Sequence, residues 1–189
     1  MNLTIMKNKT QVTTNKNSIP AKLNLGCGID TKKEYYNVDV VKTPGCNKII
    51  DFNKPNWDLP SDYFEEIYVH MVVEQLDNIH LFVREVWRIG KDHCKIKITT
   101  PYYNCRTAHQ PINKLYFNLD AFRHWTEQGK WRSYYPDLRN EDKPLFNLLS
   151  RKTIPTPFGK IIPALIRDKI SKFIPELNNY IVFELEILK

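Results

Sequence analysis

Long hydrophobic runs are missing from this sequence of 189 residues. No stretch approaches the roughly 18 consecutive apolar residues that a membrane-spanning helix needs. The first twenty residues contain neither the apolar core nor the small-residue cleavage site of a secretory signal. The sequence therefore predicts no membrane span, and we expect a cytoplasmic protein.

Cysteine is scarce, and its spacing excludes two further classes. The four cysteines, Cys27, Cys46, Cys94 and Cys105, form no C-x-x-C pair. Zinc sites and small disulfide scaffolds depend on closely paired cysteines. We therefore expect four reduced thiols and no metal site.

Acidic residues are almost absent from two segments of the chain. The formal net charge is +7, yet residues 23–150 are balanced. The surplus lies in residues 1–22, which have four lysines and no acid, and in residues 151–172, which have a net charge of +5. Residues 1–20 are rich in Asn, Thr and Lys without periodicity, which predicts a disordered tail. The length and the 42% hydrophobic content fit a single domain over residues 21–189.

Short apolar segments recur along the first hundred residues and predict five strands at residues 21–25, 35–40, 48–52, 64–70 and 95–100. Between the last two, apolar residues recur at helical spacing as far as Arg88. Strands that alternate with crossover segments indicate a parallel sheet in an α/β fold. Residues 101–175 predict an irregular and helical lobe, and residues 180–188 predict a final strand.

An amphipathic helix is predicted from Pro163 to Phe173. Apolar Leu165, Ile166 and Ile170 lie on one face with Phe173, and the opposite face is basic. We expect the apolar face to pack against the sheet or to cover a pocket. A peripheral contact of residues 163–173 with an anionic membrane is the alternative.

Three features meet where the first three strands end. Gly26 and Gly28 follow the first strand and allow a ligand to approach the backbone closely. Asp39 ends the second strand, where its carboxylate can accept hydrogen bonds from both hydroxyls of a ribose. Asp51 and Phe52 end the third and offer an acceptor and an apolar edge to a purine. The third glycine of G-x-G-x-x-G is missing, which disfavours a dinucleotide site.

The sequence resembles class I S-adenosylmethionine-dependent methyltransferases, specifically a small "type 11"-like branch. The motifs that carry the resemblance are Leu-Asn-Leu-Gly-Cys-Gly (residues 23–28), Tyr-Asn-Val-Asp (36–39), Asp-Phe (51–52), the segment 61–74 and Arg-Glu-Val-Trp-Arg-Ile (84–89). The resemblance implies a Rossmann-like, doubly wound, mostly parallel sheet of seven strands with an antiparallel C-terminal strand.

The resemblance also implies roles for individual residues. The methionine part of S-adenosylmethionine would lie over the turn formed by Leu25, Gly26, Cys27 and Gly28. Asp39 would meet the ribose, and Asp51 and Phe52 would meet the adenine. His70 and Met71, after the fourth strand, would line the pocket near the sulfonium.

Methyl transfer is an in-line displacement, so the protein mainly aligns the donor and the acceptor. A base is needed only if the nucleophile arrives protonated. His70 and His109 are the candidate bases, because the pKa of histidine lies near neutrality. The loop after the fifth strand resembles an acceptor-side loop, and its candidate substrate-binding residues are Tyr102, Tyr103, Arg106 and His109.

The leading interpretation is a methyltransferase acting on a small molecule such as a sugar, a lipid head group or a similar metabolite. A nucleic-acid methyltransferase that uses the basic tail and helix is an alternative, which the absence of an Asp-Pro-Pro-Tyr motif after the fourth strand disfavours. A catalytically degenerate protein that retains cofactor binding is the other alternative. This alternative is considered because residues 90–94 stand where the family typically has a Lys-Pro-Gly-Gly turn.

Overall fold

The computed structural model describes residues 19–126 and 144–189. Most of the predicted tail, residues 1–18, and part of the predicted acceptor-side lobe, residues 127–143, lie outside the described residues. Within the described ranges the strands are β1 (Lys22–Leu25), β2 (Tyr36–Asp39), β3 (Lys48–Ile49), β4 (Phe64–His70), β5 (Gly90–Pro101), β6 (Phe146–Pro155) and β7 (Asn178–Ile187). The α-helices are α1 (Ile79–Ile89), α2 (Arg123–Thr126) and α3 (Ala164–Ile170), and 3-10 turns span Val73–Gln75, Arg106–His109 and Gly159–Ile161.

All seven strands belong to one sheet, in the order β3-β2-β1-β4-β5-β7-β6. The pairs from β3 to β5 are parallel, and β7 is antiparallel to both β5 and β6. This arrangement confirms the predicted Rossmann-like, mostly parallel α/β sheet with an antiparallel C-terminal strand. The carboxyl ends of β1, β2, β3 and β4 share one edge, as a ligand site requires.

The sequence pattern does not predict β6, which lies inside the region expected to be irregular and helical. Phe146 at its start is buried, but Leu149 and Ile154 are exposed and charged Arg151 and Lys152 follow one another. Within the described residues, β6 pairs only with β7 and lies at the edge of the sheet. β6 therefore forms by pairing with a strand that is distant in the sequence, and no local alternation of apolar residues marks it.

The connection between β1 and β2 contains no helix. Two buried asparagines stabilise it: Asn24 Nδ2 donates to Asn37 Oδ1 at 2.9 Å and to the Asp30 carbonyl at 3.0 Å. Asn37 in turn exchanges hydrogen bonds with the backbone of Lys32, donating at 3.0 Å and accepting at 2.9 Å. These bonds satisfy the polar groups of a loop that takes the place of a full crossover helix.

Helix α1 connects β4 to β5 in the chain and packs against the sheet. Asn78 caps it, since its side-chain oxygen accepts from the backbone N–H groups of His80 and Leu81. Glu85 is buried on the helix because it accepts the Trp57 N–H at 2.9 Å and pairs with Arg88 at 2.7 Å. The helix packs against the core through Phe82, Val83, Val86 and Ile89.

Helix α3 does not turn its apolar face towards the protein, contrary to the prediction from the sequence. It is shorter than the predicted range of 163–173, with Pro163 at its N-cap position. Leu165 and Ile166 are exposed, whereas Arg167 is buried. The expectation that the apolar face packs against the sheet is therefore wrong. None of the helices in the described ranges has the length and hydrophobicity needed to cross a bilayer.

Candidate functional site

The turn after β1 needs glycine at two positions for different physical reasons. Gly26 has φ +70°, and a Cβ there would overlap Val72 Cγ2. Gly28 has φ +48° with open space around it, so its backbone conformation alone favours glycine. Gly26 therefore allows the loop after β4 to pack tightly, while Gly28 leaves room beside the backbone for a ligand.

Asp39 connects the end of β2 to this turn. Its Oδ2 accepts the Gly28 N–H at 2.7 Å, and its Oδ1 accepts the Val41 N–H at 3.0 Å. A carboxylate has about four acceptor positions, so each oxygen can still accept another hydrogen bond. The carboxylate is fixed in orientation and keeps capacity for a pair of hydroxyls.

Asp51 and Phe52 lie beyond the short strand β3. Asp51 accepts the Asn53 N–H at 3.0 Å and pairs with Lys54 at 3.4 Å. Phe52 is buried and packs edge-on against Trp57, with ring centroids 5.3 Å apart. Packing in the core therefore fixes the ring of Phe52, and local contacts with Asn53 and Lys54 fix the carboxylate of Asp51.

These groups line a single cleft of about 310 Å³, which we call the glycine cleft. Met71, the first residue after β4, also lines it and has an uncommon positive φ of 57°. Gln75 is held near it, since Nε2 donates to the Met71 carbonyl at 2.9 Å. The residues that line the glycine cleft are Gly26, Gly28, Asp39, Val40, Asp51, Phe52, Asn53, Met71, Val72, Gln75 and Leu76.

The glycine cleft brings together six of the nine residues predicted for the cofactor. Leu25, Cys27 and His70 are not among its lining residues. Leu25 and Cys27 are buried beneath the turn. Burial, with Cys46 and Asp39 contributing, raises the pKa of the Cys27 thiol to about 11, so this thiol stays neutral.

His70 lies at the end of β4, on the surface next to the cleft. Its ring stacks against Tyr68 with centroids 6.1 Å apart. Partial desolvation lowers the pKa of His70, and Lys32 lowers it further while Asp30 opposes the change. The imidazole is therefore mainly neutral at pH 7 and able to accept a proton.

The predicted acceptor-side residues line a separate cleft, which we call the His109 cleft. It has a volume of about 550 Å³ and is lined by Tyr103, Asn104, Cys105, Arg106, His109, Pro175 and Glu176. Tyr102 is not part of this lining, because it is buried and its hydroxyl lies 2.9 Å from Ser171 Oγ. The structure therefore groups Tyr103, Arg106 and His109 with one another, and none of the three lines the glycine cleft.

A third cleft of about 460 Å³ is lined mainly by residues 115–125, together with Ile79 and His80. Its aromatic lining includes Phe117 and Trp125, which also pack into the core. Ile79 is three residues from Leu76 of the glycine cleft, so the two clefts adjoin along the chain.

Sequence reasoning missed Asn53, Gln75 and Val72 in the glycine cleft. A polar residue two positions after Asp51 was the available signal for Asn53. Gln75 directly follows the segment 61–74 that carries the resemblance, and this was the available signal for a position near the site. Nothing in the sequence indicated Val72, because its role depends on the close approach of Gly26 from another strand.

Glu74 is a buried acid between the glycine cleft and the end of β5. Its Oε2 accepts the Thr100 hydroxyl at 3.0 Å, and its backbone carbonyl accepts the N–H groups of Lys114 and Leu115. Oε1 has no hydrogen-bond partner within the described residues. Burial raises the pKa of Glu74, so this carboxyl holds its proton to higher pH than a free glutamate.

The strand order is that of a fold which S-adenosylmethionine-dependent methyltransferases adopt. An S-adenosylmethionine-dependent methyltransferase from Archaeoglobus fulgidus has a TM-score of 0.58 and 14% identity, with 87% of this chain and 85% of that chain covered. One from Mesorhizobium loti has a TM-score of 0.54 and 10% identity, with coverage of 87% and 89%. No family model matches the sequence, and no curated protein sequence is significantly similar to it.

A third structure shows that this fold supports other chemistry. The [4+2]-cyclase SpnF has a TM-score of 0.54 and 10% identity, with 88% of this chain and 74% of that chain covered. At such identities the likeness establishes the fold alone. The reaction has to be argued from the residues of the site.

Proposed function

We propose that this protein is an S-adenosylmethionine-dependent methyltransferase that acts on a small molecule. The observation that carries the proposal is the glycine cleft, where Gly28, Asp39 and Asp51 meet at the carboxyl ends of neighbouring strands. A glycine turn, a carboxylate with free acceptor positions and an acid next to a fixed aromatic ring suit a nucleoside with an attached amino acid. The residue assignments that follow rest on this proposal.

The residues of the cleft fit the proposed cofactor. Asp39 would accept the ribose hydroxyls, since the N–H groups of Gly28 and Val41 already hold its carboxylate in place. Asp51 and Phe52 would contact the adenine, and the Gly26–Gly28 backbone with Met71 would contact the methionine part. When bound, S-adenosylmethionine supplies an electrophilic methyl group.

The acceptor side is proposed to involve Tyr103, Arg106 and His109, which the His109 cleft groups together. Arg106 would attract an anionic or hydroxyl-rich acceptor. Where the acceptor atom carries a proton, neutral His70 is the first candidate to accept it, and His109 is the second. Each role is a proposal for these side chains and requires no metal.

The nucleic-acid alternative loses support from α3. Arg167, one of the cations that motivated it, is buried in the protein and does not face solvent. The lysines of the tail that motivated it, Lys7, Lys9 and Lys16, lie outside the described residues. A degenerate cofactor-binding protein differs from an enzyme only in turnover, which a screen of acceptors with labelled cofactor would detect.

Calorimetry with S-adenosylhomocysteine tests cofactor binding directly. We expect Asp39→Asn to weaken binding about tenfold or more, because the amide loses the charge and one acceptor oxygen. Asp62→Asn is the matched control, since Asp62 is exposed and precedes β4 at the opposite edge of the sheet. Failure of the folded wild-type protein to bind would overturn the proposal, and equal binding by Asp39→Asn would overturn the ribose assignment.

A further inference from the structure

Arg167 and Asp168 of α3 face the protein, and their contacts fix the rotation of the helix. Arg167 is only 7% exposed. Its guanidinium donates to the Gly159 and Ile162 carbonyls at 3.5 Å and to Thr153 Oγ1 at 3.4 Å. Asp168 accepts from the same Thr153 hydroxyl at 2.7 Å. The helix is therefore joined to β6 through its charged residues.

The turns on either side of α3 are fixed in the same way. Ser171 lies 2.9 Å from the Tyr102 hydroxyl, and its carbonyl accepts from Asn104 Nδ2 at 2.6 Å. Gly159 packs so closely that a Cβ there would overlap the Leu177 carbonyl. Turning the apolar face inward would break all of these contacts, so the outward orientation belongs to the folded state.

Residues 158–174, which include α3, carry six large apolar side chains that are exposed, and we call them the apolar patch: Phe158, Ile161, Leu165, Ile166, Phe173 and Ile174. Ile161, Leu165 and Phe173 are each 78% exposed. Exposed apolar clusters of this kind mark surfaces that bind a partner or a membrane. Three exposed lysines, Lys160, Lys169 and Lys172, are interspersed with the patch.

The lysines around the apolar patch favour some binding partners over others. In a two-fold dimer the same surface meets itself, so the lysines of both copies would face each other. An anionic bilayer instead offers apolar chains to the patch and negative head groups to the lysines. We propose that the apolar patch docks this protein on an anionic lipid bilayer.

The position of the patch gives the docking a consequence for the reaction, which rests on the proposed function. The segment 156–176 joins β6 to β7 at the end where Tyr180 pairs with Pro101, the carboxyl end of β5. It is therefore at the same edge of the sheet as the glycine cleft. Pro175 and Glu176 of this segment also line the His109 cleft. Docking would bring that cleft next to the lipid surface, which favours an acceptor with a lipid anchor.

Vesicle co-sedimentation tests the docking surface. The full chain is mixed with vesicles of phosphatidylcholine containing roughly 30% phosphatidylserine, or with phosphatidylcholine alone, at about 0.1 M salt. We expect binding to the anionic vesicles only, and weaker binding as salt rises. The double variant Leu165→Gln/Phe173→Gln should lower partitioning about tenfold or more, because it removes two insertable side chains.

Three controls isolate the patch. The variant Leu149→Gln changes an exposed apolar residue of β6 that belongs neither to the apolar patch nor to the lining of the glycine cleft, and it should bind vesicles as the wild type does. Replacing Lys7, Lys9 and Lys16 with Gln tests the basic N-terminal segment and should leave most of the binding. Calorimetry with S-adenosylhomocysteine on each variant should give unchanged affinity, which separates docking from the proposed function.

Each contrary result identifies a different error. Absence of binding by the wild type, or equal binding by the double patch variant, would overturn the docking proposal while cofactor binding stands. Loss of all binding in the lysine variant would assign it to the N-terminal segment. A wild-type dimer in sedimentation velocity that the double patch variant dissociates would assign the patch to a second copy.

Discussion

At the residue scale, Glu74 makes the most specific prediction about pH. Its folded pKa is raised by burial, while in the unfolded chain the carboxyl ionises at its ordinary value. Between these two values the folded state binds more protons, so stability falls as pH rises through that range. Glu74→Gln removes the effect, and we expect the variant to gain stability relative to wild type between pH 4 and pH 8. Urea unfolding at both pH values measures this difference.

Two further variants define what Glu74 contributes. Glu65→Gln is the control, because Glu65 is exposed and paired with Lys91, which lowers its pKa. Its loss should change the pH dependence in the opposite direction or not at all. Glu74→Ala should cost about 1–3 kcal/mol, since Thr100 loses its buried acceptor. An unaltered pH dependence in Glu74→Gln would contradict the assignment of a raised pKa.

At the element scale, α3 predicts mutational effects that are the reverse of those expected from hydrophobicity. Arg167→Met should destabilise the protein by about 1–3 kcal/mol, because three backbone and side-chain acceptors lose their donor. Leu165→Gln should change stability by no more than about 0.5 kcal/mol, since the side chain is exposed. Urea unfolding of the two variants decides between the orientations, and the opposite ranking would contradict the observed one.

The same helix shows where sequence reasoning succeeds and where it fails. The strands β1, β2 and β4 and the residues that follow them are specified locally by apolar runs, glycines and acids. The orientation of α3 depends on contacts with Thr153, Gly159 and Tyr102, which all lie outside the helix. The periodicity of the helix's own residues does not indicate these contacts. The conformation of the loop between β1 and β2 likewise depends on distant residues, because hydrogen bonds of two buried asparagines on different strands stabilise it.

At the scale of the whole molecule, the cysteines report on global unfolding. All four are free and buried, and burial raises the pKa of Cys94 to about 12. We expect a thiol reagent at pH 8 to label the folded protein only through opening of the fold. S-adenosylhomocysteine at about a hundred times its dissociation constant should slow labelling about a hundredfold. Labelling followed by mass spectrometry measures this, and the Asp39→Asn variant at the same ligand concentration should show about a tenth of the protection, because its affinity is about tenfold lower.

The place of β7 within the sheet has a consequence for biosynthesis. β7 is the last of the seven strands to leave the ribosome, yet it lies between β5 and β6. Until it is made, the twelve-residue strand β5 presents an unpaired edge and β6 has no neighbour. The nascent chain therefore carries an open β5 edge from the completion of β5 until β7 emerges, and β7 then inserts between β5 and β6.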